Sequence, residues 1–140
     1  MTERPKIKDA DEFITKLDET DREIKESFTN RFGSDFFESL GDVTFNEMCW
    51  FIEMQILFNY EDRKLSIETF HRMDVSRRDG IANSILKRID SLNEELGRRE
   101  QGIFPEPDGY WGDSSTDELK ELLEAMKIFR EELGITPAAP

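Results

Sequence analysis

The sequence has little of the chemistry that most catalytic and metal sites use. Among 140 residues it contains one cysteine, Cys49, and one histidine, His71. A single cysteine excludes an intramolecular disulfide and a CxxC metal site. Because Cys49 lies inside an apolar run, we expect a buried, inert thiol. His71 follows Glu68 in an ExxH pattern, but a di-iron bundle needs two such pairs. We therefore predict that His71 lies on a helix surface or is half-buried.

The chain also lacks a hydrophobic run long enough to cross a membrane. Its most apolar stretch, residues 48–58, is interrupted by Glu53 and Gln55, and a spanning helix needs about 20 apolar residues. The N-terminal segment MTERPKIKDADE has no apolar core of the kind that signal peptides carry. We expect no membrane partner and a cytoplasmic setting.

Basic residues are few compared with acidic ones. The chain has 19 Lys and Arg against 32 Asp and Glu, a formal net charge of −13. Long-range repulsion at this charge opposes the approach of nucleic acid or an anionic membrane. It permits a basic protein partner, including one that itself binds nucleic acid. Solubility alone is the simpler explanation of the same charge.

Apolar residues, although only 36% of the chain, include 11 Phe and 2 Trp and recur with helical spacing. No stretch alternates as a strand would. We predict an all-α fold, a single compact bundle of five or six helices in one domain, residues 1–140, with flexible ends at about 1–8 and 135–140. A hydrophobic helix at about residues 44–60 is expected at its centre, because its apolar residues point in every direction.

Local signals divide the rest of the chain. An amphipathic pattern runs from Asp9 to about residue 32, with a possible break at Leu17–Thr20 and with Asp21 where an apolar residue is expected. Short helical segments are predicted at 35–40 and 67–73. Longer helices are predicted from about Arg77 to Glu100 and from about residue 116 to 133. Capping boxes or N-caps are expected at six positions: Thr20, Ser34, Thr44, Ser66, Ser76 and Ser115. Gly33 and Gly134 are expected to end helices.

One positive feature stands out in the helix from Arg77 to Glu100. Arg77, Arg88 and Arg99 lie eleven residues apart, almost three full turns. They are expected to form one row if that helix is unbroken.

No nucleotide-binding, zinc-protease, hydrolase or EF-hand motif is present. One carboxylate pattern, Glu23 and Glu26 followed by Glu38 and Asp42, is similar in outline to the all-α nucleotide pyrophosphohydrolases of the MazG type. Those enzymes hold Mg²⁺ with ExxE followed by ExxD, whereas the second pair here is spaced ExxxD and contains Gly41. The resemblance implies a Mg²⁺-dependent nucleotide hydrolase, which we keep as the alternative hypothesis.

The segment Gly102–Ser114 contains three glycines and two prolines together with four large apolar residues. Tyr and Trp dominate interface hot spots, so this loop and the acidic start of the following helix are the candidate partner-binding region. Trp111 packed back on the bundle is the competing interpretation. The candidate residues are Tyr110, Trp111, Asp108, Asp113, Glu106, Asp117, Glu118 and Glu121.

The leading functional hypothesis is therefore a non-catalytic acidic protein, without cofactor or metal, that engages a basic surface of a protein partner. Its size and charge are typical of toxin-neutralising immunity proteins and of phage anti-defence inhibitors of the anti-CRISPR or DNA-mimic kind. A homo-oligomeric assembly protein, with part of the central helix as an interface, is a further alternative, and a homodimer is left open.

Overall fold

The computed structural model describes residues 7–36, 42–106, 109 and 111–136, with the backbone alone for residues 42–44. Within these ranges the chain is all-helical and contains no strand. The five helices of the described ranges are α1 (Ala10–Phe32), α2 (Asp42–Asn59), α3 (Arg63–Arg72), α4 (Val75–Glu100) and α5 (Thr116–Leu133). The predicted all-α class and number of helices are confirmed. The predicted helix at 35–40 falls mainly outside the described residues.

The chain divides into two compact units, Met1–Ile81 and Ala82–Pro140. The first contains α1, α2, α3 and the start of α4, and the second contains the rest of α4 and α5. The prediction of one domain with flexible ends stays a prediction.

Helix α2 is the most enclosed element of the first unit. No side chain from Met48 to Phe58 is exposed, and Glu53, Met54 and Leu57 are at most 1% exposed. This burial agrees with the all-round apolar pattern of its sequence. Helix α1 packs against α3, and the ring of Phe13 meets Tyr60 edge-on at 4.8 Å. The helix that the sequence marked as central is therefore buried within its own unit.

Three of the predicted N-caps are wrong because the helix in question begins earlier in the chain than the predicted cap residue. Asp62 caps α3 by accepting from the Leu65 amide at 3.2 Å, whereas Ser66 lies inside α3 and donates to the Leu57 carbonyl at 2.9 Å. Asp74, rather than Ser76, accepts from the first turn of α4, from the Arg77 amide at 2.9 Å.

The third wrong cap is Thr44, which lies in the first turn of α2 because that helix begins at Asp42. The possible break at Leu17–Thr20 is also absent. Helix α1 is continuous there, and the hydroxyl of Thr20 donates to the Lys16 carbonyl at 3.0 Å.

The second unit follows its sequence signals closely. Ser115 and Glu118 form the predicted capping box of α5, and Gly134 ends this helix with a left-handed φ of 75°, which glycine adopts without steric cost. One face of α5 is buried. Its buried residues are Leu119, Leu123, Met126, Phe129 and Leu133.

Candidate functional site

The predicted partner-binding residues that the structure describes are mostly exposed. Glu106, Asp113, Asp117, Glu118 and Glu121 face solvent, and the side chain of Glu118 also accepts from the Ser115 amide in the capping box. Asp108 and Tyr110 lie outside the described residues.

Trp111 is half-buried rather than fully presented. The guanidinium of Arg88 lies 4.8 Å from its ring centroid, a cation–π geometry. Its carbonyl oxygen accepts from Arg99 Nη2 at 3.0 Å. These contacts favour the interpretation that Trp111 helps to hold the loop in place.

The outward face of α5 carries a row of carboxylates. Asp117, Glu121, Glu124 and Glu131 are exposed and recur at spacings of four, three and seven, so they share one face of the helix. Ile128, which is 55% exposed, occupies the same face between Glu124 and Glu131. We call these five residues the α5 face.

Two basic residues border the α5 face. Lys120 is exposed at its edge, and Lys127 Nζ lies 3.9 Å from Glu124 Oε1. The face therefore combines an exposed apolar side chain with four carboxylates and only peripheral positive charge.

Ile103 and Phe104 were counted in the sequence as apolar weight for the Gly102–Ser114 loop and not as site residues. Their side chains are 54% and 66% exposed, more than Trp111. The sequence did contain a signal of their exposure: they lie between Gly102 and Pro105, so they belong to no amphipathic helix that would bury them. Of the loop's described apolar residues, these two are the more accessible.

A compact ion cluster joins the end of α4 to the loop and to α5. Glu95 is 2% exposed; its Oε2 accepts from Arg99 Nε at 2.9 Å and its Oε1 from Arg98 Nη2 at 3.1 Å. Arg99 also donates to Thr116 Oγ1 at 3.1 Å. We call Glu95, Arg98 and Arg99 the Glu95 cluster. Burial opposes ionisation of Glu95, but the hydrogen bonds from Arg99 and Arg98 outweigh it and lower the pKa of this carboxyl.

A second ion cluster, in the first unit, is built around Arg77 at the start of α4. Arg77 Nε donates to Glu53 Oε1 at 2.6 Å, and Arg77 Nη2 is also paired with Glu53. On α1, Asp18 Oδ1 lies 2.8 Å from Arg77 Nη1, and Asp21 Oδ2 lies 3.8 Å from Arg77 Nη2. The thiol of Cys49 faces the Asp21 carboxyl group. We call Asp18, Asp21, Cys49, Glu53 and Arg77 the Arg77 cluster.

Burial, together with the surrounding charges, shifts several pKa values in the Arg77 cluster. Burial raises the pKa of Glu53 to about 7, although the guanidinium of Arg77 opposes the rise. Burial also raises the pKa of Asp21, and burial together with the neighbouring Asp21 carboxylate raises the pKa of the Cys49 thiol to about 12. The expectation of a buried thiol at Cys49 is confirmed by its 4% exposure, and a pKa this high keeps it protonated.

An open cleft of about 320 Å³ lies over the Arg77 cluster. The ring of Trp50 forms part of its wall and packs on Gly80 of α4, where an added Cβ would overlap the ring. Asp74 also lines the cleft. Polar and charged side chains therefore meet at the junction of three helices.

Two polar interruptions in the sequence marked this cluster, but they did not indicate which residue the two carboxyl groups would contact. Asp21 interrupts the apolar stripe of α1, and Glu53 interrupts the apolar run of α2. Both carboxyl groups turn to Arg77, which is 24 residues from Glu53 in the chain. Helix α4 is unbroken through Arg77, Arg88 and Arg99, but each guanidinium is engaged by its own partners.

The residues of the MazG-type alternative are only partly described. Glu23 and Glu26 are exposed on α1, while Glu38 and the side chain of Asp42 lie outside the described part of the chain. Among the residues that are described, no group of three or more His, Cys, Asp or Glu side chains is arranged to hold a metal ion. His71 is exposed, with its ring edge-on to Phe70 at 5.4 Å.

No helix within the described ranges has both the length and the apolar character needed to cross a bilayer. No protein-family model matches the chain, and no significant similarity was found to a curated protein or to a solved structure.

Proposed function

We propose that this protein is a non-catalytic, acidic binding protein that inhibits a protein partner stoichiometrically by covering a basic surface on it. The observation that supports the proposal most directly is the α5 face, where exposed Ile128 lies among Asp117, Glu121, Glu124 and Glu131. The class is that of immunity proteins and phage anti-defence inhibitors, including those that occupy a nucleic-acid-binding site. A cytoplasmic setting belongs to the same proposal.

The arrangement of the α5 face suits such a role for two physical reasons. An exposed apolar side chain gains free energy when a partner removes it from water, about 25 cal/mol per Å². Carboxylates around it attract a basic surface over long range and reject acidic competitors. The exposed pair Ile103 and Phe104 adds apolar area elsewhere in the second unit.

The proposal is tested by capture of partners from the native host at low and high salt. The test variant carries Asp117→Lys, Glu121→Lys and Glu124→Lys. The control variant carries Glu23→Lys, Glu26→Lys and Glu68→Lys, which changes net charge equally but at exposed positions of α1 and α3. We expect the same basic protein with wild type and control, less of it at high salt, and none with the test variant. Equal capture by all three proteins at both salt concentrations would contradict the proposal.

The non-catalytic part of the proposal has its own test. Purified wild type and the variant Glu26→Gln are each assayed, with Mg²⁺, for hydrolysis of a broad panel of nucleotides. We expect no turnover by either protein. Turnover by wild type that is lost in Glu26→Gln would favour the Mg²⁺-dependent hydrolase instead. Light scattering at several protein concentrations tests the homo-oligomer alternative. A monomer at every concentration would rule that alternative out.

A further inference from the structure

The Arg77 cluster holds more negative than positive groups, and the carboxyl group at its centre is removed from water. Glu53 is 1% exposed and is faced from α1 by Asp18 and Asp21 and from α4 by Arg77. On its own helix, Cys49 lies one turn away, and Asp74, just before α4, lines the same cleft. One guanidinium cannot neutralise three carboxylates, and an uncompensated buried charge is costly.

Uptake of one proton relieves this imbalance, and Glu53 is the carboxyl group from which water is most completely removed. We propose that the Arg77 cluster is a proton-operated latch, in which a proton taken up by Glu53 fastens the start of α4 to α1 and α2. The device is independent of the proposed partner-binding role of the α5 face.

Protonated Glu53 satisfies the cluster better than ionised Glu53 does. Its carbonyl oxygen still accepts from Arg77 Nε, and its new O–H becomes a donor. The carboxyl groups of Glu53 and Asp21 are neighbours, because both are paired with Arg77 Nη2. Asp21 Oδ1 is buried and accepts no well-aligned hydrogen bond from the described residues, although the Cys49 thiol faces this carboxyl group. The proton therefore supplies a donor to a buried acceptor and leaves the guanidinium to Asp18 and Asp21.

The direction of the pH effect follows from linkage. Burial raises the pKa of Glu53 from 4.5 to about 7, so between these values the folded protein binds more protons than the unfolded chain. Stability contributed by the proton is complete below the unfolded value of 4.5 and is lost as the pH rises through about 7. The open state of the latch is thus the ionised one.

Two readouts on the full-length chain test the latch. The first is denaturant unfolding at pH 5 and at pH 8 for wild type, Glu53→Gln and the control Glu68→Gln, an exposed glutamate of α3. Wild type and control should unfold at a higher denaturant midpoint at pH 5 than at pH 8. In Glu53→Gln, which mimics the protonated group, this pH difference should be lost.

The second readout does not depend on the folding of a Glu53 variant. Trp111→Phe leaves Trp50, in the wall of the cleft, as the single tryptophan of the chain. We expect the fluorescence of Trp50 in the folded protein to change in one proton-linked step centred near neutral pH. A flat fluorescence profile from pH 5 to pH 8, or a pH difference in unfolding midpoint that survives in Glu53→Gln, would overturn the latch.

Discussion

The two ion clusters of this protein differ in which charge is in excess. In the first unit, Arg77 faces Asp18, Asp21 and Glu53. In the second unit, Glu95 faces Arg98 and Arg99. Glu53 and Glu95 are almost equally buried, at 1% and 2% exposed, yet the pKa of Glu53 is raised and that of Glu95 is lowered. Burial raises the pKa of Glu53 against the opposing pull of one arginine, whereas at Glu95 the hydrogen bonds from two arginines outweigh the effect of burial.

The difference gives the clusters opposite dependence on pH. Glu95 contributes stability that is present above the ordinary glutamate pKa and is lost as the pH falls through its lowered value. Glu53 contributes stability through its proton, which is lost as the pH rises through about 7. Near neutral pH, the stability contributed by the Glu95 cluster is therefore independent of pH, whereas that contributed by the Arg77 cluster changes with pH.

The largest effect is expected from Arg77→Ala. This change leaves three carboxylates, one of them fully buried, without their cation. Removing one partner of a buried ion pair typically costs about 3–5 kcal/mol. Denaturant unfolding at pH 8 measures the loss, which should shrink at pH 5 because Glu53 is then protonated. A loss that is independent of pH would contradict the role given to Glu53.

A smaller loss is expected from Arg99→Ala in the second unit. Glu95 keeps Arg98 as a partner, but the hydrogen bonds to Thr116 and to the Trp111 carbonyl disappear. Hydrogen bonds that involve a charged group contribute about 1.5–3 kcal/mol. Unfolding at pH 8 and pH 5 should give similar losses. A loss that matched the pH dependence of Arg77→Ala would remove the distinction between the clusters.

Helix α4 offers a matched pair of glycines for the next prediction. At Gly80 an added Cβ overlaps the ring of Trp50, whereas at Gly97 it meets nothing within 4 Å. Overpacking costs about 1–3 kcal/mol, and replacing a helical glycine by alanine gains about 0.5–1 kcal/mol. Gly80→Ala should therefore destabilise and Gly97→Ala should stabilise, as measured by thermal unfolding. The same sign for both variants would mean that Trp50 does not pack on Gly80 in solution.

The smallest effect is expected at the cap of α5. Ser115→Ala removes the acceptor for the Glu118 amide, and loss of an N-cap side chain costs about 1 kcal/mol. The loss should not change between pH 5 and pH 8, because no titrating group of either cluster is involved. Circular dichroism during urea unfolding measures it, and no measurable loss would indicate that other contacts hold the start of α5.

Elements with local causes were predictable from the sequence, and contacts across the chain were not. The capping box at Ser115 and the end of α5 at Gly134 depend on residues within one turn, and both predictions are confirmed. Ser66 has the same local signal for a cap, but Asp62 begins α3 and the Ser66 hydroxyl bonds to α2 instead. The choice between Asp62 and Ser66 as the cap depends on the packing of α3 against α2, which the local sequence does not reveal.

The candidate site illustrates the same limit. Glu53 and Asp21 were visible as polar interruptions in apolar patterns. Their common partner was not, because Arg77 looked like one of three evenly spaced arginines on an open helix face. Only the folded chain brings the three groups together. The α5 face, by contrast, follows from helical spacing alone once the helix begins at Thr116.

The most direct measurement is a titration of the side-chain carboxyl carbons of Glu53 and Glu95 by nuclear magnetic resonance in a single sample, assigned with Glu53→Gln and Glu95→Gln. Both groups are buried glutamates of one chain, but Glu53 is paired with one arginine and Glu95 with two. We predict a midpoint near 7 for Glu53 and a midpoint below the ordinary glutamate value for Glu95. Equal midpoints, or a lower midpoint for Glu53 than for Glu95, would contradict the account.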